Sequence, residues 1–164
     1  MKRRLFIASF PAAFLAGCGF ELRRLEGIPF ATLYIEAPPG SVVGHLRNAL
    51  KSNKTTRLVA TAGEAEAVLQ VSQEERSKTI LSLSGAGRVT EYRLGLKLTY
   101  SVTGQDGRTL AAAETLELVR DFTYDDSQVL AKAAEEQLLY RDMEESAARR
   151  ILRRLQAIAP GAVR

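Results

Sequence analysis

The chain has 164 residues, of which 46% are hydrophobic and 26% charged, the balance of one ordinary globular domain. Beyond residue 20, no apolar run approaches the roughly 18 residues that a membrane-spanning helix needs. The formal net charge of +4 includes three of the 23 basic residues at the N-terminus. The rest of the chain has 20 basic and 19 acidic residues and is therefore nearly neutral. It lacks the basic character of a non-specific nucleic-acid binder.

The first 17 residues have the order of an export signal. Basic residues at positions 2–4 precede the short apolar run Leu5–Ala16, and a small residue then leads to Cys18. Residues 15–18, Leu-Ala-Gly-Cys, resemble the lipobox of bacterial lipoproteins. The resemblance implies a diacylglycerol on the thiol, cleavage before Cys18 and a further N-acyl chain. Together these acyl chains would anchor the protein stably to a membrane. The alternative is a conventional signal peptide with an incidental cysteine.

Cys18 is the only cysteine, so the chain can form no intramolecular disulfide, and lipidation accounts for the single exported thiol. Gly19 follows, in place of the aspartate associated with inner-membrane retention of lipoproteins, which favours the outer membrane. We expect a lipid-anchored, periplasm-facing protein with no cofactor besides the acyl groups on Cys18. The predicted segments are a signal peptide at 1–17, a lipidated N-terminus and tether at 18–31, one domain at 32–160 and a tail at 161–164.

The first half of the mature chain predicts a strand, a helix and a second strand. Thr32–Glu36 is rich in β-forming residues and is ended by the Pro-Pro-Gly of residues 38–40. Ser41 is a predicted N-cap for a helix that ends near Asn53 and carries apolar residues at helical spacing. A short extended piece at 57–61 precedes a strand in which apolar residues 69 and 71 alternate with polar ones.

The second half predicts two strands around a glycine turn, one further strand and a long helix. Ile80–Ser84, the turn at 85–87 and the regular alternation of 92–102 form the first pair. The apolar residues are odd-numbered before the turn and even-numbered after it. Pairing them on one face without a bulge therefore requires an even number of loop residues, and a bulge would reverse this inference.

An Asp-Gly turn at 104–107 leads to a strand at about 115–122, and the period then becomes helical from Asp125 to about residue 157 or 158. The order β-α-β-β-β-α, with the possible extra short strand, predicts an α+β fold. We expect a two-layer sandwich in which two helices pack on one face of a mainly antiparallel sheet of about four strands.

The sequence carries no strong catalytic motif. His45 is the only histidine, and no further cysteine exists to complete a zinc site. Asp125 and Asp126 are interpreted as helix caps rather than as an acid/base pair. The competing interpretation is a hydrolase that uses His45 with these two carboxylates, but we expect that the protein is not an enzyme.

Basic residues form two groups, which are either solvated charges or surfaces for phosphate or a partner. One group surrounds the glycine turn and contains Arg76, Lys78, Arg88 and Arg93. The other lies in the last helix and contains Arg149, Arg150, Arg153 and Arg154. Lys132, near the start of the same helix, is open to both interpretations.

Several blocks together resemble the LptE family of lipopolysaccharide-assembly lipoproteins. The blocks are residues 17–23 (GCGFELR), 74–78 with 80–85 (EERSK, ILSLSG), 88–92 (RVTEY) and 121–132 (DFTYDDSQVLAK) continuing to 143. The similarity extends over nearly all of the mature chain. It implies a two-helix, roughly four-stranded sandwich that makes or breaks no bond.

The resemblance also implies partners. Members of the family sit inside the LptD β-barrel of the outer membrane, plug its lumen, help it to assemble, and take part in lipopolysaccharide transport to the cell surface. Lys132 lies in the matching segment at the start of the last helix, and Arg88 is the nearest basic residue at the turn. These two, expected to be exposed, are lipopolysaccharide-binding candidates together with Arg76 and Lys78. The alternative is a free-standing lipid- or lipopolysaccharide-binding lipoprotein.

Overall fold

The computed structural model describes residues 27–53 and 55–158, so the predicted export signal and Cys18 lie outside the described residues. The described chain contains six strands and two α-helices. They are β1 (Thr32–Glu36), α1 (Ser41–Lys51), β2 (Arg57–Leu58), β3 (Ala67–Val71), β4 (Glu75–Leu83), β5 (Val89–Gly104), β6 (Thr109–Thr123) and α2 (Val129–Gln156). The α+β class is confirmed.

All six strands form one mixed sheet around β5. One edge of β5 pairs antiparallel with β6, while its other edge pairs antiparallel with β3 at residues 100–104 and with β4 at residues 89–97. β1 lies between β3 and β2 and is parallel to both. The expected count of four strands was too low, and two of the five pairings are parallel. Extended segments were predicted at the positions of all six strands, so the error lies in the total of about four and not in where the strands were placed.

β4 overturns the prediction about the turn. Arg76 pairs with Leu96 and Ile80 with Tyr92, so even-numbered residues of β4 share the core face of β5. In β3, odd-numbered residues share that face, because Leu69 pairs with Val102. Residues 72–74 therefore shift the pairing by one position between the two strands. Two further register shifts, between residues 80 and 82 and between 82 and 83, cancel each other. Five residues, an odd number, therefore separate the paired residues 83 and 89, and three of them, 85–87, lie between the hydrogen-bonded residues 84 and 88.

The two hairpin turns at the ends of β5 share one geometry. In the first, the Gly87 N–H donates to the Ser84 carbonyl at 2.9 Å, and the Ser84 N–H donates to the Arg88 carbonyl at 2.7 Å. In the second, residues 107, 104 and 108 make the same two bonds at 3.0 and 2.8 Å. Gly87 and Gly107 have φ values of 73° and 77°, which this three-residue loop needs and glycine adopts without strain.

The predicted cap of α1 was wrong. Gly40 is the N-cap residue, and the Glu74 carboxylate accepts the N–H of Ser41 at 3.2 Å and of Val42 at 2.7 Å. A Cβ on Gly40 would lie 2.4 Å from a Glu74 oxygen, so glycine gives the carboxylate room. Glu74 belongs to the segment that separates β3 from β4, and its negative charge also suits the positive end of the helix dipole.

The core lies between one face of the sheet and the two helices. It combines the buried side chains of β1, β3, β5 and β6 with those of α1 and α2 in one cluster. Ile28 and Phe30, which precede β1, are buried in the same cluster. Within the described residues, neither helix is both long and apolar enough to cross a membrane.

Candidate ligand-binding surface

The four predicted site residues lie on β4, in the β4–β5 turn and near the start of α2. Arg88 is in the turn, whereas Arg76 lies at the other end of β4, beside α1 and the middle of α2. We call this region the hairpin–helix surface and define it by Arg76 and Lys78 on β4, Arg88 in the turn and Lys132 on α2. The Tyr124 N–H donates to the Thr90 carbonyl at 2.8 Å, so the chain leaves the sheet for α2 beside the turn. This bond places the start of α2 next to the hairpin.

Lys78 lies in an aromatic cluster. Its Nζ is 4.3 Å from the Tyr92 ring centre and 5.8 and 5.9 Å from those of Phe122 and Tyr124. Tyr92 contacts Phe122 in a stacked arrangement and Tyr124 edge-on. The Glu136 carboxylate on α2 pairs with the same Nζ at 2.5 Å. Ring faces and the carboxylate both stabilise the ammonium, so Lys78 joins β4 to α2.

Arg76 makes the second link between β4 and α2. Its guanidinium pairs with Glu144, whose side chain is only 4% exposed, and donates to the Ser41 Oγ of α1 at 3.1 Å. The guanidinium carbon also lies 5.2 Å from the Tyr140 ring centre. A buried carboxylate requires such a partner, because an unpaired charge in the core is costly. Arg76 thereby joins both helices to the sheet through Ser41 and the buried Glu144, a role that sequence reasoning missed.

Tyr140 supplies a third link, since its hydroxyl donates to the Ser77 carbonyl at 2.8 Å. Burial raises the pKa of the Tyr140 phenol, and the negative charge of Glu136 adds to the rise. The neutral phenol therefore remains the donor at physiological pH. Three successive β4 residues, 76 to 78, are thus held against α2 by side chains from three turns of the helix.

Lys132 is not exposed as expected, because only 16% of its side chain is accessible. Its Nζ pairs with Glu135 at 2.8 Å, which holds the ammonium against the helix. Lys132 also lies near the cap at the start of α2. The Ser127 hydroxyl and N–H lower the pKa of the Asp125 carboxyl, and the charge of Lys132 contributes to the shift.

The cap interpretation is confirmed for Asp125 alone, because Asp126 lies inside the turn that follows it and α2 begins after Gln128 without a side-chain cap. The Asp125 carboxylate accepts the Ser127 N–H at 2.9 Å and begins the short 3-10 turn Asp126–Gln128 before α2. His45, the other residue of the hydrolase interpretation, has its Nε2 3.9 Å from the buried Glu144. No group of three or more potential metal ligands occurs in residues 27–53 and 55–158.

Arg88 differs from the other three cations. It is exposed in the turn, and none of the ion pairs among the described residues involves it. Exposed aliphatic side chains occur on β4, which leads into the turn, and in the first three turns of α2. They are Ile80, Leu81, Leu83, Val129, Leu130 and Leu138. An exposed cation beside aliphatic groups can contact an anionic, partly apolar ligand.

Of the four arginines near the end of α2, two form ion pairs and two are exposed. Arg149 pairs with Glu145 at 3.3 Å and Arg154 with Glu114 at 3.7 Å. Arg150 and Arg153 are exposed. These pairs are exposed and therefore contribute little to stability, as surface ion pairs commonly do.

These features define a small α+β domain whose candidate site is a binding surface of cations, aromatic rings and exposed aliphatic groups. The sequence model of the lipopolysaccharide-assembly family LptE matches residues 30–155 of the chain. The chain therefore belongs to the LptE family, and the resemblance found in the sequence is confirmed.

Individual relatives agree with this assignment. The chain is 28% identical to the LPS-assembly lipoprotein LptE of Photorhabdus laumondii subsp. laumondii, over 96% of this chain and 88% of the relative. The counterpart from Pectobacterium atrosepticum gives the same three values. The solution NMR structure of lipoprotein B from Nitrosomonas europaea superposes with a TM-score of 0.74 at 35% identity, covering 85% of this chain and 91% of that one.

Proposed function

We propose that this chain is a non-enzymatic outer-membrane lipoprotein that plugs and helps assemble the LptD β-barrel and takes part in lipopolysaccharide transport. The family match over residues 30–155 is the observation that carries the proposal. The lipobox-like segment ending at Cys18 supplies the anchor, with acyl groups on the thiol and the new N-terminus, and the domain faces the periplasm.

We assign the lipopolysaccharide contact to the hairpin–helix surface. Phosphate groups of lipid A are anions that lysine and arginine bind by charge-assisted hydrogen bonds. Arg88 is the first contact in this proposal, because Arg76, Lys78 and Lys132 are already paired with carboxylates. Those three would have to share or exchange a carboxylate partner to bind phosphate. The exposed Ile80, Leu83 and Leu130 can meet acyl chains beside it.

Co-purification tests the barrel assignment. The full acylated protein should be isolated from envelope extracts in non-ionic detergent, and its partners should be identified by mass spectrometry. We expect a one-to-one complex with a large β-barrel protein and a mature N-terminus that begins at an acylated Cys18. Recovery without any barrel protein, in repeated isolations, would contradict the plug function.

Charge reversal tests the ligand assignment. Arg88→Glu should weaken binding of purified lipopolysaccharide by about tenfold, because a charged hydrogen bond contributes roughly 1.5–3 kcal/mol. Lys132→Glu should also weaken it, with an added effect on the Glu135 pair. Arg150→Glu, an exposed arginine near the other end of α2, is the matched control and should leave affinity unchanged. Equal losses in all three variants would indicate only a general charge effect.

A free-standing lipid- or lipopolysaccharide-binding lipoprotein is the second candidate. The exposed aliphatic groups beside Arg88 favour it, because such groups bind acyl chains without a partner protein. Lipopolysaccharide titration separates the two. Saturable binding by the isolated protein, combined with absence of a barrel partner in the extracts, would support the second candidate over the first.

A further inference from the structure

A second surface lies away from the hairpin–helix surface, where the parallel strands β1, β2 and β3 end. It is an open cleft of about 870 Å³ that continues across the sheet to β5 and is bordered by α1. This volume lies in the range of small-molecule sites. The cleft involves none of the four residues assigned to lipopolysaccharide.

The floor of the cleft is an ordered polar network on the sheet face opposite the helices. Gln70 lies at its centre, and its amide nitrogen donates to the Glu36 carboxylate at 2.9 Å. Its amide oxygen accepts from the Ser101 hydroxyl at 3.2 Å. The half-buried Tyr34 lies two residues before Glu36 on the same strand and also lines the cleft. Fixed amide and hydroxyl groups beside an aromatic ring are suited to a ligand rich in hydroxyl groups.

The rim of the cleft is positively charged. Arg47 and Lys51 are four residues apart on α1 and therefore share a face of the helix. Both are exposed, and in the part of the chain that the structure describes, neither contributes to an ion pair. Among the described residues, Glu36 is the one carboxylate that lines the cleft, and it already accepts the Gln70 amide. The unpaired charges therefore favour an anionic ligand.

We propose that this cleft binds an acidic oligosaccharide. Arg47 and Lys51 contact its carboxylate groups, and the side chains of Gln70 and Ser101 contact its hydroxyl groups. A peptide strand is a poorer match for the floor, because β1 and β3 already have a neighbouring strand on each side. The site requires neither the barrel protein nor acyl chains, so it is independent of the proposed transport function.

Calorimetric titration of the full acylated protein in non-ionic detergent tests the proposal with three matched probes. Tetragalacturonate has both sugar hydroxyls and carboxylates, maltotetraose has only the hydroxyls, and tetraglutamate has carboxylates on a peptide. We expect saturable binding of tetragalacturonate alone. Arg47→Ala and Lys51→Ala should each weaken it about tenfold, since charged hydrogen bonds are lost. Gln70→Ala should weaken it less.

Arg150→Ala serves as the control and should bind tetragalacturonate like the unaltered protein, and circular dichroism should show that every variant is folded. Three results would overturn the proposal. They are an absence of saturable tetragalacturonate binding, equal binding of either other probe, and unchanged affinity in the Arg47 and Lys51 variants. A negative result here leaves lipopolysaccharide binding at Arg88 untouched, because that measurement uses a different ligand and different residues.

Discussion

β3 and β4 pair with the same edge of β5, but the two strands have different surroundings. β3 lies between β1 and β5, and its core-facing residues 67, 69 and 71 are apolar and buried. β4 has no second neighbouring strand in the described chain, and its core-facing positions include Arg76 and Lys78. The comparison shows that position in the sheet, more than strand sequence alone, decides which residues a strand can place toward the core.

The inward-facing cations give β4 a distinct property. Charged residues that point inward on an edge strand disfavour pairing with a strand of another molecule. In this protein the same charges also bind α2 through Glu136 and Glu144. The first residues of β4 are thus fixed by polar contacts, whereas the last ones, with Ile80 and Leu83 exposed, lack comparable cover among the described residues.

The largest expected contrast between the two strands comes from matched leucine truncations. Leu69→Ala in β3 should lower the free energy of unfolding by about 2–5 kcal/mol, because the side chain is fully buried and leaves a cavity. Leu81→Ala in β4 should change it by about 0.5 kcal/mol or less, because that side chain is 41% exposed. Urea unfolding followed by circular dichroism measures both. Equal losses would mean that β4 is packed as firmly as β3.

A smaller effect is expected from the link between β4 and α2. Glu144→Ala should cost about 1–3 kcal/mol, because Arg76 loses its buried acceptor and His45 of α1 loses the carboxylate 3.9 Å from its Nε2. Glu145→Ala, one residue further along α2, removes an exposed partner of Arg149 and should cost about 0.5 kcal/mol or less.

A double-mutant cycle with Arg76→Met isolates the pair between β4 and Glu144. We expect a coupling energy of about 1 kcal/mol, at the lower part of the range because the arginine is partly exposed. Additive losses in this cycle would show that Glu144 acts through α1 alone and does not fix β4.

The last expected effect is confined to alkaline pH and concerns Tyr100 on β5, which pairs with Val71 of β3. Burial, and then the hydrogen bond to Glu114, raises the pKa of Tyr100 to about 12 from an ordinary value of 10. The folded state favours the neutral phenol, so its contribution is complete below pH 10 and is lost as the pH rises toward 12. Tyr100→Phe should unfold with a shallower pH dependence between 10 and 12 in urea titrations. An unchanged slope would contradict the assignment.

Periodicity was sufficient for much of the fold. The bounds of β1 were predicted as observed, the even-numbered core face of β5 followed from its alternation, and α2 ends within two residues of the expected position. Local signals carry this information, because a strand with one buried face and an amphipathic helix each have a fixed period. Asp125 was also identified correctly as a cap, since its partner is only two residues away.

Contacts between residues far apart in the sequence could not be predicted. Residues 75–78 lie outside the strand predicted at Ile80–Ser84, but they form the first part of β4 because β5 pairs with them on one side. Glu74 caps α1 from 32 positions away, and Glu144 is 68 positions from Arg76. No local pattern distinguishes these carboxylates from exposed ones. For the same reason, the candidate cations could be proposed from the sequence, whereas their pairing and the burial of Lys132 could not be predicted.

The length of β5 has a consequence for how the molecule unfolds. This 16-residue strand is the common scaffold of both halves, with β3 on one stretch of its edge and β4 on another. Unfolding of β3 or of β4 would remove hydrogen bonds from the same continuous strand, which is about 50 Å long at roughly 3.3 Å per residue. Unfolding at one end of β5 therefore destabilises the strands paired with its other end. We expect the domain to unfold as a single cooperative unit and not as two independent parts.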